Sequence, residues 1–178
     1  MESMEMERRQ ALVHNLKVAR QDAKANYRDG MAALAGAVNV VTTLVGGRAF
    51  GFAATSVCSI TDEPPTLLVC LNQSASVFEP FQKASRLCVN TLGAGQKTVA
   101  SVFGGKSSQE ERFGTADWTS LTTGAPVLVG ATVSFDCRIK SRTAVGTHDI
   151  IICEVESISR LADASGLVYF GRKYHALR

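Results

Sequence analysis

From residue 132 to 140 the chain alternates tightly, with Val133, Phe135, Cys137 and Ile139 set against Thr132, Ser134, Asp136, Arg138 and Lys140. A period of two is that of a strand with one buried face. Across the connection Gly146-Thr147-His148-Asp149, residues 150–158 supply a partner strand, and 167–170 a short closing one. Upstream, the β-branched run 38–45, the turn Gly46-Gly47-Arg48 and a return over 49–57 read as a hairpin. Residues 66–71 are apolar and β-rich, as in a strand buried on both faces, and 86–92 form another. Helical patterning is weaker. Residues 3–24 are good helix formers with a thin apolar face, which suits a surface or dimer-embracing helix. Tyr27, Met31 and Leu34 mark one face of a second short helix ending near Gly36. Ser76 and Glu79 have capping-box spacing for a helix to about residue 84, and 96–103 form one more. At least six short strands, few helices and no β-α-β repeat predict a mainly β fold. The architecture expected is an antiparallel, Greek-key-like barrel with a few peripheral helices.

Within that pattern, residues 53–59 stand out as a shelf of small and hydroxyl-bearing side chains. Backbone N–H groups and side-chain oxygens there can face a flat polar ligand, because nothing bulky intervenes. Glu63-Pro64-Pro65 then imposes an extended turn into the next strand. The polar loop 72–76 leads into the helix start at Ser76, where backbone donors suit a phosphate; a plain capped helix has the same spacing.

Composition narrows the function classes. The chain has 178 residues, 46% hydrophobic and 20% charged, enough for one substantial core. Net charge is only +3 with acids and bases interleaved, so no basic stripe argues for nucleic acid. The apolar runs are shorter than a membrane span, and Glu2, Glu5 and Glu7 stand where a signal peptide would be basic, so a cytoplasmic location is expected. Five cysteines without a C-x-x-C pair read as reduced, mostly buried thiols, and three scattered histidines do not make a metal site. Gly104-Gly105-Lys106-Ser107 looks like the tail of a phosphate loop, but Ala100 occupies the first glycine position. Gly93-x-Gly95 is no dinucleotide fingerprint, because Thr98 replaces the third glycine. Trp118 reads as an anchor for a satellite core.

Eight ordered blocks carry a resemblance. They are A-V-N-V-V-T-T (37–43), T-S-V-C-S-I-T-D-E-P-P-T-L-L-V-C-L-N (55–72), L-C-V-N-T-L (87–92), F-G-G-K (103–106), E-E-R-F (110–113), V-S-F-D-C-R-I (133–139), V-G-T-H-D-I (145–150) and L-V-Y-F-x-R-x-Y-H (167–175). In this order they resemble the short-chain NAD(P)H:flavin reductases, the reductase components of two-component flavin monooxygenases. The likeness is strongest to the branches serving pyrimidine utilisation and 4-hydroxyphenylacetate hydroxylation. It covers residues 27–178 and leaves 1–26 as an N-terminal helical extension.

The resemblance implies an FMN-binding split barrel acting as a homodimer. It would move a hydride from NADH to FMN, with FAD and NADPH as alternatives, and release reduced flavin to a separate monooxygenase. By matched blocks, Ala54, Thr55, Ser56, Val57, Cys58 and Ser59 would line the ring edge, and Asn72, Ser74 and Ser76 would approach the ribityl chain and phosphate. Asn90, Thr91, Leu92, Gln96, Phe103 and Lys106 would complete the pocket. His148, the candidate catalytic residue, and Tyr174 would meet the nicotinamide cofactor, with Arg172 available to its phosphates. Each has a plainer reading: His148 as a loop hydrogen-bonder, Tyr174 as a core-edge aromatic, Cys58 as a small packing residue. Two other functions share the pattern. One is a fixed-flavin reductase of a corrinoid or ferric chelate; the other is a flavin-binding barrel without turnover.

Overall fold

The computed structural model describes residues 2–163 and 165–177. Helix α1 (Glu2–Ala32) runs unbroken through the stretch where a second helix was expected, because no proline interrupts it and Gly30 falls in its last turn. With residues 33–35 and Phe170–Arg172 it forms one compact unit. Two contacts tie that unit: Gly171 N–H donates to Ala32 O at 2.7 Å, and Arg172 Nη2 pairs with Asp29 Oδ1 at 2.5 Å.

The second unit holds the sheets. It begins with β1 (Gly36–Ala37), the hairpin β2 (Asn39–Val45) and β3 (Arg48–Ala54), then β4 (Val57–Asp62) and β5 (Pro65–Asn72). Helix α2 (Phe78–Lys83) and strand β6 (Arg86–Thr91) follow, then helices α3 (Lys97–Gly104) and α4 (Gln109–Phe113). The short pair β7 (Trp118–Ser120) and β8 (Pro126–Leu128) precedes the long hairpin β9 (Val133–Val145) and β10 (His148–Arg160). Strands β11 (Gly166–Phe170) and β12 (Lys173–Leu177) end the fold.

Seven strands form one antiparallel sheet in the order β3-β2-β6-β9-β10-β5-β4. Its two outer strands, β3 and β4, are joined by only Thr55 and Ser56, so the edges of the sheet must come together. They meet without a ladder. Apolar side chains from both edges, Phe50, Phe52 and Ala54 of β3 and Val57 of β4, pack in one core with Leu67, Val69, Leu87, Val89, Ile151 and Phe81 of α2. The result is a split barrel curled around α2, as expected from the sequence. The expected return strand 49–57, however, breaks after Ala54, and Val57, Cys58 and Ser59 belong to β4 instead.

The sheet has cores on both faces. Val41 faces the barrel interior while its neighbour Val40 packs outside, with Leu92, Val99, Phe103 and Leu167. Trp118 anchors this outer core as expected, ring to ring with Phe113 at 4.8 Å and with Nε1 donating to Phe113 O. The sheet is pinned at its centre by Asn90, which is 0% exposed. Its Nδ2 donates to Val40 O and Thr42 Oγ1, and its Oδ1 accepts from Leu128 N and Ser134 Oγ. Four strands converge on one amide. Asn90→Ala should lower unfolding free energy by about 3 kcal/mol, since several buried partners lose their bonds together, and urea denaturation would measure it.

Candidate functional site

A cavity of about 390 Å³ opens beside the Thr55–Ser56 link between the two edges of the sheet, within the range of small-molecule sites (~300–1,000 Å³). One wall is the end of β3, Phe52, Ala53 and Ala54, running on into exposed Thr55 and Ser56. The facing wall is the end of β5, Cys70, Leu71 and Asn72, continued by Ala75, Ser76 and Val77. Phe103, Gly104, Gly105 and Arg112 close one side, and His148 stands at the rim. Apolar walls with a polar rim suit a flat ligand with polar edges.

Each wall is held by identifiable bonds. Gly51, on the outer edge of β3, donates its N–H to Gln109 Oε1 at 2.8 Å and accepts from Arg112 Nη1 at 2.7 Å, so α4 seals an edge that has no strand neighbour. A Cβ on Gly51 would lie 2.7 Å from Phe103 Cε1, which explains why only glycine lets α3 lie flush on the strand. On the opposite wall His148 pairs in register with Asn72, and the carboxylate of buried Asp149 accepts from Gln73 Nε2 at 2.8 Å and Gln82 Nε2 at 2.6 Å. Those bonds fasten loop 72–76 and α2 to the hairpin that carries His148. Asn72 Oδ1 is taken by Ser74 N and Oγ, leaving its amide donors for a ligand. His148 Nδ1 lies 3.0 Å from Thr147 Oγ1.

Of the residues expected at the site, Ala54, Thr55, Ser56, Asn72, Ser76, Phe103 and His148 come together at the cavity. The others lie elsewhere. Cys58 and Ser59 point to solvent from β4, and half-buried Val57 packs in the interior core, because β4 turns away to pair with β5. Asn90 and Leu92 are wholly buried in the sheet, and Thr91 Oγ1 donates to Asn39 Oδ1. Gln96 Oε1 accepts from Gly93 N, turning inward on its own loop. Lys106 is exposed beyond the cavity wall, and Ser74 serves Asn72. Tyr174 stands behind the wall, its hydroxyl within 3.8 Å of where a Gly104 Cβ would sit, with burial raising its pKa. Arg172 belongs to the helical unit, paired with Asp29. The capping box expected at Ser76 and Glu79 does not form, since Val77 is the N-cap of α2; the box lies instead at Ser108 and Glu111 on α4.

Sequence reading missed Arg112, Cys70, Gly104 and Gly105. Arg112 lies in the E-E-R-F block that carries the resemblance, without a role given to it there, and it is 5% exposed. The available signal was the turn it shares with Phe113. Burial raises the Cys70 thiol and lowers the Arg112 guanidinium from their ordinary values.

A cavity of this build in a split barrel suits a planar, polar-edged molecule. The flavin reductase like domain family matches residues 31–178, and the chain belongs to that family. It is 54% identical over 151 residues to the FMN reductase (NADH) RutF of Pseudomonas syringae, covering 85% of each chain. A candidate flavin reductase from Haemophilus somnus, solved as a crystal structure, superposes with TM-score 0.84 at 48% identity, covering 86% of this chain and 98% of the other. The styrene monooxygenase flavin reductase of Pseudomonas putida gives TM-score 0.78 at 27% identity, covering 86% and 97%.

Thiol chemistry gives a test of the cavity. In mildly alkaline buffer iodoacetamide should label exposed Cys58 first and Cys70 more slowly, since a raised pKa leaves less thiolate. Cys88, Cys137 and Cys153 should resist while the chain is folded, being buried with raised pKa values, that of Cys153 to about 12. A ligand in the cavity should protect Cys70 alone, which peptide mass mapping would read.

Proposed function

We propose that this chain is an NADH-dependent FMN reductase that releases reduced flavin to a separate monooxygenase. The observation that carries the reading is the cavity, apolar on its walls and hydrogen-bonding on its rim, in a chain 54% identical to a protein named as an FMN reductase using NADH. Kinship with the reductase of a styrene monooxygenase supports a partner oxygenase.

Hydride transfer from nicotinamide to flavin is chemistry that the two cofactors bring with them. The chain's part is to hold them in contact and keep water from between them. Phe52, Ala53 and Ala54 offer a flat wall for the ring, and the small residues beside them let backbone donors reach its edge. Thr55, Ser56 and Ser76 supply rim hydrogen bonds, with Asn72 free to donate its amide. His148, at the mouth on a hairpin that Asp149 fastens to the loop 72–76, orients the nicotinamide partner. The cavity is open at the surface, which suits a flavin that arrives and leaves. Five unpaired cysteines support a cytoplasmic location, and among the described residues no helix is long and apolar enough to cross a membrane. Assembly as a homodimer is part of this reading, as the family resemblance implies.

NADH oxidation by the purified chain in air should appear only on adding FMN and should saturate with it. FMN bound without NADH consumption would instead leave a binding barrel. His148→Ala should raise KM for NADH by about tenfold while FMN affinity changes by less than about twofold, the cost of one positioning hydrogen bond. Steady-state kinetics and flavin fluorescence titration separate the two.

A further inference from the structure

Arg112 presents an imbalance of charge. The residue is 5% exposed, and it borders the cavity. Nη1 donates to Gly51 O and Nη2 to Gly105 O, both neutral carbonyls, while Nε has no partner. The ion pairs among the described residues are Arg138 with Glu156, Lys140 with Glu154 and Arg172 with Asp29; none reaches Arg112. The nearest acidic neighbours in sequence are not available: Glu111 closes the capping box with Ser108 N, and Glu110 points to solvent.

A buried cation without an anion is costly, and proteins pair such charges or give them a ligand. Bracing two carbonyls does not require a full charge. Arg142 makes a useful contrast, for it also donates to two carbonyls, Phe81 O and Ala84 O, and also has an unpartnered Nε. Those carbonyls end helix α2, where a cation is favoured, and Arg142 is only half buried. Arg112 also meets a helix end, since Gly105 caps α3, but it is far more deeply buried than Arg142 and borders the cavity.

We propose that Arg112 supplies the counter-charge for an anionic group of the bound flavin. The inference rests on the flavin reading given above. Two groups have the required chemistry: the terminal phosphate of FMN, and the ring itself after reduction, since a hydride brings two electrons with one proton and adds one negative charge. An Arg112 that meets the phosphate favours FMN in both redox states. An Arg112 that meets the ring favours the reduced form and helps to drive the transfer.

The test is anaerobic calorimetric titration at mildly alkaline pH with riboflavin and FMN, each oxidised and reduced. Wild-type protein should bind a charged form about tenfold or more tightly than neutral oxidised riboflavin, and Arg112→Gln should bring that ratio to about one, as expected for loss of a charge-assisted contact. Arg112→Lys, which keeps the cation without the two-pronged brace, should keep most of the preference. A preference following the phosphate assigns the first source; one following reduction in both flavins assigns the second. A uniform loss across all four ligands in Arg112→Gln, with the wild-type ratio preserved, would reduce Arg112 to a brace and overturn the inference. So would a wild-type protein with no charge preference, a result that stands even if Arg112→Gln does not fold. Failure to bind any flavin would sink the proposed function itself, whereas flavin binding blind to charge sinks this inference alone.

Discussion

Two residues between the outermost strands set the form of this protein. Thr55 and Ser56 span no more than about 7 Å, yet they connect strands at opposite ends of a seven-stranded sheet. The sheet can satisfy that tether only by curling until its edges adjoin. Once curled, it encloses Phe81 and the interior face of five other strands, and it leaves an opening beside the link, where β3 and β4 are not paired. Core, curvature and cavity therefore have one cause. The unpaired edge of β3 is dealt with locally by Gln109 and Arg112, which take the backbone groups of Gly51.

Function is placed at this opening for a related reason. Backbone donors and small side chains are abundant where regular pairing stops, and a planar ligand needs both. Asp149 gives the opposite wall its rigidity, binding loop and helix to the hairpin through two glutamine amides. The site thus consists of a wall fixed by strand geometry, another fixed by a buried carboxylate, and a side that carries a buried cation with no carboxylate partner among the described residues.

Strand periodicity made much of the fold legible. The alternation from Val133 to Ile139 and the apolar run 66–71 appear as β9 and β5, although the polar face expected on β9 is itself buried at Ser134 and Asp136, and the Gly46-Gly47 turn joins β2 to β3. Less visible were the short strands β1, β4, β7, β8 and β12, whose residues alternate too briefly or lie wholly exposed, as β4 does beyond Val57. Within the site, the shelf was legible only as far as Ser56, because nothing in 53–59 marks the point at which pairing passes from one edge to the other. Asn90 misled for a different reason. An asparagine in a strand of a ligand-binding barrel reads as a ligand contact, whereas its amide is spent on neighbouring strands, β2, β8 and β9. Arg112 was hidden by its charged neighbours, since burial of one residue in a short helix has no periodic signature.

Strand β2 has a bearing on how such a chain can diversify. From Asn39 to Thr43 every side chain is buried, with Val41 in the interior core and its neighbour Val40 in the outer one. The strand has no solvent side on which neutral changes could accumulate. Drift in one core is transmitted to the other through adjacent positions of a single segment, so the two sets of packing residues are expected to vary together across lineages rather than separately.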